Sequence, residues 1–166
     1  MTGNMIVDVA DAPVALIANI PDSQLAGSGF YRNDPAHHYS RSRLYTQRNA
    51  DGIGGWTPYR DRVGEYIQAD FGQLQRIQAV ATQGQANFRR WVTSYKFAYS
   101  ADGVTYHYVT SADGSDRVFV GNRDRNTVVE HSFDAPIVTR FVRLYPQTYS
   151  GHMTMRWEVY GYGYNG

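Results

Sequence analysis

Apolar and polar residues alternate in short runs through the last hundred residues of the chain. This period of two is typical of strands with one buried face, and no run shows the 3.6-residue period of an amphipathic helix. The pattern predicts a strand over 66–72 that ends in a turn at Gly72. It predicts further strands over 77–82, 95–99, 105–109, 117–120, 127–131, 141–145 and 155–160.

Turn residues separate these runs. The step Asp102-Gly103 lies between the runs 95–99 and 105–109, an arrangement typical of a β-hairpin. Residues 20–62 differ, because Gly, Ser, Asn, Asp and Arg are frequent there and the periodic signal is weak. A long irregular segment in a small domain is usually functional or hides a strand, and we expect both here.

The composition also favours an all-β domain. The chain has 14 Tyr, 7 Phe, 3 Trp and 16 Gly, and only 19% of its residues are charged. Aromatic side chains pack well on a pleated surface, and this much apolar area is untypical of a disordered chain. A length of 166 residues fits one domain, and we predict a single domain over 1–166 with its core at about 20–162.

Charge and residue usage exclude several functional classes. The net charge of +1 gives no reason to expect a nucleic acid partner. Cysteine is absent, which excludes disulfides and thiolate metal sites. No apolar run approaches the ~20 residues of a transmembrane helix. Residues 1–18 lack the basic start and apolar core of a signal peptide, so secretion would follow another route or use a leader outside this sequence.

A series of short segments carries a family resemblance. They are Ser42-Arg43-Leu44, Gly55-Trp56-Thr57-Pro58, 66–72, Thr82-Gln83-Gly84, 95–97 with 100–103, 118–122, 136–144 and 155–161. In this order and spacing they resemble the discoidin family, also called coagulation factor V/VIII type C domains. The resemblance covers about residues 20–162. It implies a distorted jelly-roll β-barrel, of the galactose-binding-domain-like sandwich type, with hairpin loops projecting at one end.

The chain departs from the family at one position. Family members commonly join their termini by a disulfide whose second cysteine follows the final glycine, and here that position is Tyr162. We therefore expect strand pairing and packing to close the barrel, helped by Tyr160, Tyr162 and Tyr164. The resemblance also implies that Arg140, Arg143, Arg156 and Glu158 form structural ion pairs, with Asp70 as one partner, and that Arg43 is structural.

The resemblance places the binding loops on three segments, here called loop 1 (30–39), loop 2 (47–54) and loop 3 (85–91). Loops on a rigid scaffold commonly carry function. Aromatic and basic side chains are frequent in them, and guanidinium groups pair with carboxylate, phosphate or sulfate. Of the 16 basic residues of the chain only Lys96 is lysine. The predicted ligand-binding residues are Phe30, Tyr31, Arg32, His37, His38, Tyr39, Arg48, Phe88, Arg89, Arg90 and Trp91.

Some of these residues allow a second interpretation. Trp91 also fits an inward-packing position at the start of the next strand, and Phe88 fits a packed one. His37 and His38 fit solvated loop residues, a metal site or a pH switch. Asp51 in Asn49-Ala50-Asp51-Gly52 resembles a calcium loop of carbohydrate-binding discoidin-fold modules, although an Asp-Gly step is more often a plain turn. Calcium is thus a candidate ligand, and no other cofactor is expected.

No nucleophile elbow, His-Glu-x-x-His motif, P-loop or paired-carboxylate motif occurs, so we predict a binding domain and not an enzyme. The main hypothesis is an adhesion or recognition module for an anionic surface, either a phospholipid membrane or an extracellular matrix protein. The alternative is a lectin that binds a glycan, with or without calcium. Either function predicts an extracellular or cell-surface location, and a homo-oligomer would add avidity to a weak single site.

Overall fold

The fold is built from antiparallel strands that pair over long distances in the sequence. A computed structural model describes residues 12–165. Most of the N-terminal segment considered for a signal peptide, residues 1–11, lies outside the described residues. The eight strands are β1 Val14–Ala15, β2 Leu25–Gly27, β3 Ile67–Gln83, β4 Trp91–Ser100, β5 His107–Tyr108, β6 Phe119–Val120, β7 Val129–Ser150 and β8 Arg156–Gly163.

The strands form one antiparallel sheet in the order β1-β8-β3-β7-β4-β5, with β2 paired to β3 and β6 paired to β4. The long strand β3 pairs with both β7 and β8, so that Thr82 lies opposite Val129 on one side and Trp157 on the other. The predicted all-β class is confirmed. No helix within residues 12–165 is long and apolar enough to span a membrane.

The predicted turn at Gly72 is wrong. Gly72 does have a positive φ of 77°, but it lies inside β3 and not at its end. The β3–β7 register shifts between Asp70 and Gln75, so the glycine sits in an irregularity where β3 carries extra residues. Glycine adopts a positive φ in a bulge as readily as in a turn. Only the continuing partner strand distinguishes a bulge from a turn.

The predicted hairpin at Asp102-Gly103 is confirmed. Ala98 pairs with Tyr108 and Tyr99 with His107 across it. The Asp102 carboxylate accepts hydrogen bonds from the backbone N–H groups of Val104 and Thr105, each at 2.9 Å. These bonds lower the pKa of Asp102 to about 2. The carboxylate therefore stays charged and holds the turn at any physiological pH.

Apolar side chains from opposite strands fill the core. Trp56, Trp157 and Phe97 are fully buried, and the Tyr95 and Phe119 rings stack 5.2 Å apart. The Trp157 indole N–H donates to Ser42 Oγ at 3.1 Å, and the Trp56 indole N–H donates to the Gly29 carbonyl at 3.0 Å. The first bond joins β8 to the segment 20–62, and the second joins two parts of that segment. That segment therefore belongs to the barrel, although its periodic signal is weak.

The segment 20–62 contains the expected hidden strand and a series of tight turns. β2 pairs with β3 through Leu25 and Ala69. Single turns of 3-10 helix cover Tyr31–Asn33, Pro35–His37 and Tyr39–Ser42, and similar turns lie at Ile17–Asn19 and Asp22–Gln24. The short turns leave no room for an alternating pattern, which explains the weak periodic signal of this segment.

Strand pairing joins the first and last strands without a disulfide, as expected. Val14 of β1 lies opposite Gly161 of β8. The Glu158 carboxylate accepts from the backbone N–H groups of Ile17 and Ala18, at 2.6 and 3.0 Å. The N-terminal segment is thus fixed to β8 by a buried charge. Tyr162 and Tyr164 contribute to this end of the sheet by ring contacts instead of strand hydrogen bonds with β1, since both rings lie against the Arg76 guanidinium.

The arginines assigned to structure make different contacts from one another. The predicted ion pair is present between Arg140 and Asp70, with Nε–Oδ1 at 2.8 Å. Arg43 pairs with Asp22 at 2.6 Å. Arg143 lies between the rings of Tyr66 and Tyr106. The ion-pair prediction is wrong for Arg143, Arg156 and Glu158, none of which forms an ion pair within the described residues. The fully buried Arg156 guanidinium donates to carbonyls and to one amide instead.

Candidate ligand-binding site

Backbone hydrogen bonds bring the three predicted loops together at one end of the barrel. The Ile53 N–H of loop 2 donates to the Ala36 carbonyl of loop 1 at 3.0 Å. The Ala86 N–H of loop 3 donates to the Gly54 carbonyl of loop 2, also at 3.0 Å. At Gly52 a Cβ would lie 2.5 Å from the Ala36 carbonyl oxygen, so loops 1 and 2 can approach this closely only with glycine there. The loops therefore form one continuous surface.

A small pocket opens between these loops. Its volume is about 70 Å³, and its walls are Tyr31, His37, Thr57, Arg90 and His152. We call it the loop pocket. Its size is well below the roughly 300–1,000 Å³ of pockets that enclose drug-sized ligands. It is suited to one edge of a small polar group, with the remainder of a ligand outside.

An unusual turn presents Tyr31 to the pocket. Arg32 and Asn33 have positive φ values of 55° and 53°, and the Asp34 N–H donates back to the Tyr31 carbonyl at 3.0 Å. Positive φ is uncommon for arginine, and such strain is often found at functional sites. The turn carries the Arg32 guanidinium over the Tyr31 ring at 5.1 Å. One face of the Tyr31 ring is thus in contact with a cation.

The two pocket histidines are held by fixed partners. His37 Nδ1 lies 3.3 Å from Thr57 Oγ1, and His152 Nδ1 lies 2.6 Å from Asp61 Oδ2. Asp61 is itself fixed, since its other oxygen accepts from the Met153 N–H at 2.9 Å. Both Nε2 atoms have no hydrogen-bond partner within residues 12–165. Each ring can therefore offer one nitrogen to a ligand.

Burial and neighbouring positive charge keep His37 neutral. Partial burial lowers the pKa of His37, the charges of Arg90 and His152 lower it further, and Asp34 opposes them. A neutral imidazole accepts a hydrogen bond at one nitrogen and donates at the other. At neutral pH His37 is therefore suited to a hydroxyl group, which can do both.

Arg90 supplies the cation of the pocket. Its guanidinium lies 4.6 Å from the centre of the Phe88 ring, and it donates no hydrogen bond elsewhere in the described part of the chain. The Arg90 backbone is fixed by a bond from its N–H to the Phe88 carbonyl and by another from the Gln85 N–H to the Arg90 carbonyl. A rigid loop thus carries a guanidinium with free donors.

The other predicted residues occupy four different surroundings. Phe30 and Tyr39 pack against the hydrophobic core, and the Tyr39 hydroxyl donates to the Gly27 carbonyl at 3.0 Å. His38 bonds to Ser40 and points away from the loop pocket. Arg89 and half-buried Trp91 line a separate pocket beyond loop 3. Phe88, which is 55% exposed, and Arg48 stand at the surface. The loop pocket therefore includes only Tyr31, His37 and Arg90 of the predicted set.

Sequence reasoning missed Thr57 and His152. His152 follows β7, and Ser150 at the end of β7 lies opposite Trp91 at the start of β4. This antiparallel register places the β7–β8 connection beside loop 3. The sequence signal was present as the dipeptide Gly151-His152 between two strands, but its use requires knowing that β4 pairs with β7.

The calcium hypothesis gains no support from the arrangement of side chains. Asp51 is exposed, and its backbone N–H donates to Asn49 Oδ1 at 2.9 Å, as in a simple Asx turn. In residues 12–165 no three His, Asp or Glu side chains come close enough together to hold a metal ion.

Known proteins are similar to this chain over most of its length. The profile of the F5/8 type C domain matches residues 35–159. Lactadherin of Sus scrofa is 33% identical over 154 residues, which are 90% of this chain and 38% of lactadherin. The chain thus spans well under half of that relative.

Solved structures show the same fold. The wild-type discoidin II of Dictyostelium discoideum matches with a TM-score of 0.80 and 29% identity, over 92% of this chain and 59% of that one. The family 32 carbohydrate-binding module of Clostridium perfringens NanJ, solved with galactose, matches with a TM-score of 0.59 and 15% identity, over 91% of this chain and 99% of that one.

These matches confirm the resemblance in the sequence, and the discoidin-type jelly roll with it. They also agree with the prediction of a ligand-binding domain that does not catalyse a reaction. The chain belongs to the F5/8 type C, or discoidin, domain family.

Proposed function

We propose that the domain is a lectin whose loop pocket binds one edge of a sugar ring. The observation that carries the proposal is the convergence of polar groups without other partners in the described residues: the Arg90 guanidinium, the Nε2 atoms of His37 and His152, and the Tyr31 hydroxyl. They come from separate segments of the chain. Such a set can bond several hydroxyl groups at once, while an aromatic ring packs against the apolar face of a sugar.

The proposed ligand class is a neutral saccharide with adjacent hydroxyl groups. Galactose is the first candidate, because the Clostridium perfringens module of the same fold was solved with it. The shallow pocket leaves most of a sugar exposed, so we expect a weak single site and a gain from several linked copies. An extracellular or cell-surface location suits this function, since glycans are displayed there.

A glycan array with a multimerised form of the domain tests the proposal. Positive glycans are then titrated by calorimetry against His37→Ala and Arg90→Gln, with His107→Ala and Arg76→Gln as controls of the same residue type outside the pocket. We expect binding to fall by about tenfold or more in the pocket variants, which equals about 1.4 kcal/mol each, and to persist in the controls. An array without positives, or equal losses in all four variants, contradicts the proposal.

The exposed ring of Phe88 supports a second candidate, docking on an anionic membrane. Phe88 is the only large apolar side chain of loops 1–3 that is more than half exposed, and Arg90 lies against it. An apolar ring beside cations suits the boundary between lipid head groups and acyl chains. Burying a single Phe supplies only about 2 kcal/mol, so charge would have to provide the rest.

Vesicle sedimentation distinguishes this candidate from the first. It predicts binding to phosphatidylserine vesicles that weakens as salt is raised and falls in Phe88→Ala, with no binding to phosphatidylcholine. Equal and negligible sedimentation with both lipids removes the membrane candidate and leaves the sugar pocket untouched.

A further inference from the structure

A second pocket lies on the other side of loop 3. It has a volume of about 360 Å³ and is lined by Arg89, Trp91, Arg123, Asp124 and Arg125. Its far wall is the connection 121–128 between β6 and β7, which the sequence analysis did not consider as a site. Arg89 and Arg90 are neighbours in the chain but line different pockets. Loop 3 therefore separates two chemically distinct surfaces.

The two walls of this pocket are fixed to each other through their backbones. The buried Arg156 guanidinium donates to the Gly84 carbonyl before loop 3 and to the Arg125 carbonyl in the opposite wall, both at 2.7 Å. A Cβ at Gly84 would lie 2.7 Å from the Asp124 carbonyl oxygen, so the walls are in direct contact. The Gln83 amide also donates to the Asn126 carbonyl at 2.8 Å. The spacing between the walls is thus set before any ligand binds.

The side chains of the pocket carry charge that nothing in the described residues neutralises. Arg89, Arg123 and Arg125 make no ion pair and donate no side-chain hydrogen bond within residues 12–165. The only carboxylate, Asp124, faces Thr127 instead, accepting from its N–H at 2.8 Å and from its hydroxyl at 2.6 Å. The three arginines and the single aspartate together give the pocket a formal charge of +2.

This combination has the chemistry of a site for sulfate groups. Each guanidinium can bind two oxygens of a sulfate in one plane, and Trp91 is half-buried at the floor, where its ring can pack against a sugar. A membrane fits the pocket less well, because the pocket lies beside loop 3 and Trp91 begins a strand instead of projecting from a tip.

We propose that Arg89, Arg123 and Arg125 bind the sulfate esters of a sulfated polysaccharide, with a sugar ring against Trp91. This site is independent of the loop pocket and of the neutral sugar proposed there. A linear polymer with regularly spaced sulfates would place one group between the two walls, and its neighbours would reach the other arginines of the same end of the barrel.

Binding to immobilised dextran sulfate, with unsulfated dextran of equal length as reference, tests the proposal. The full chain and the double variant Arg123→Gln/Arg125→Gln are compared by surface plasmon resonance, and Arg76→Gln is the control for loss of a remote positive charge. We expect binding to dextran sulfate only, about tenfold weaker in the double variant and close to the original in Arg76→Gln. Arg123→Lys/Arg125→Lys keeps the charge without the planar fork and should lie in between.

Several outcomes overturn the proposal. Dextran sulfate binding that is unchanged in the double variant shows that Arg123 and Arg125 do not bind the polymer. Binding that is equally weakened by Arg76→Gln shows attraction by net charge alone. Binding to phosphatidylserine vesicles without binding to dextran sulfate assigns the arginines to a membrane. His37→Ala separates this test from the loop pocket: it should weaken neutral sugar binding by about tenfold or more and leave dextran sulfate binding intact. Thermal unfolding of each variant confirms that it is folded.

Discussion

The arginines of the sheet and those of the loop end show how one side chain serves two purposes. In the sheet, Arg156 is fully buried and every one of its donating nitrogens has an acceptor. At the loop end, Arg89, Arg90, Arg123 and Arg125 find none in the described residues. The difference lies in the acceptors around them. The carbonyls of Gly84, Thr46 and Arg125 accept from Arg156, whereas no acceptor among the described residues lies within hydrogen-bond distance of the four guanidinium groups at the loop end.

The buried arginine of the sheet, Arg156, also holds in place the backbone that carries the exposed arginines of the loop end. Arg156 connects Thr46, ahead of loop 2, with Gly84, ahead of loop 3, and with Arg125 in the connection 121–128. Burial lowers the pKa of Arg156 to about 10, so it remains charged at neutral pH. One buried cation therefore fixes the backbones that carry the exposed cations.

Replacement of Arg156 should have the largest effect on stability, and it tests most directly whether the two groups of arginines differ. Arg156→Met fills a similar space but removes the donor to the buried Gly84 carbonyl and to the partly buried carbonyls of Thr46 and Arg125, so we expect a loss of about 3–5 kcal/mol in the free energy of unfolding. Denaturation in urea measures it. Arg125→Gln is the matched control, and we expect a change of about 0.5 kcal/mol or less there. Similar losses in both variants would show that the two groups of arginines do not differ in kind.

The aromatic side chains allow the same comparison with a smaller effect. Tyr39 packs against the core and bonds to Gly27, whereas Phe88 is exposed. Tyr39→Ala should lower the free energy of unfolding by about 3 kcal/mol, and Phe88→Ala should change it by less than about 0.5 kcal/mol. Thermal or urea unfolding of the two variants measures both changes. A large loss in Phe88→Ala would show that its ring is part of the scaffold and remove it from the membrane candidate.

The contact between Glu158 and the N-terminal segment should make stability depend on pH. Burial raises the pKa of Glu158, against the lowering effect of its bonds from Val159, Ile17 and Ala18. A carboxyl with a raised pKa in the folded state holds its proton more tightly there, so its contribution favours folding at low pH and is lost as the pH rises through that pKa. As the pH is lowered from 7 to 4.5, the free energy of unfolding of the original protein should therefore rise relative to that of Glu158→Gln. Parallel curves for the two proteins would contradict this.

The smallest effect is expected from His37, and it concerns ligand binding. Because the pKa of His37 is lowered from 6.5, the ring stays neutral at pH 7 and takes up a proton only below pH 6.5. Protonation removes its acceptor and adds charge beside Arg90, so affinity for a neutral sugar should fall on acidification. His37→Gln should bind with a flatter profile between pH 7 and 5, measured by calorimetry. An identical profile would show that His37 is not the source of the pH dependence.

Local patterns predicted most of the fold but only part of the site. The alternation over 95–99 and 105–109, with Asp102-Gly103 between, gave a hairpin that the structure contains. The signal at Gly72 was real, yet its meaning changed once β7 was seen to continue opposite it. At the site, Tyr31, His37 and Arg90 were among the predicted residues, while His152 required the pairing of β4 with β7.

By itself the sequence determined the strand content, the absence of a disulfide and the family, because these depend on residue types and their local order. It also placed the aromatic and basic residues on loops. Only the tertiary structure decided which arginines remain available and which histidines share a pocket. The physical reason is that a guanidinium or an imidazole is equally suited to a carbonyl of the protein and to a ligand. Which of the two it meets is decided by backbone groups that lie far away in the sequence.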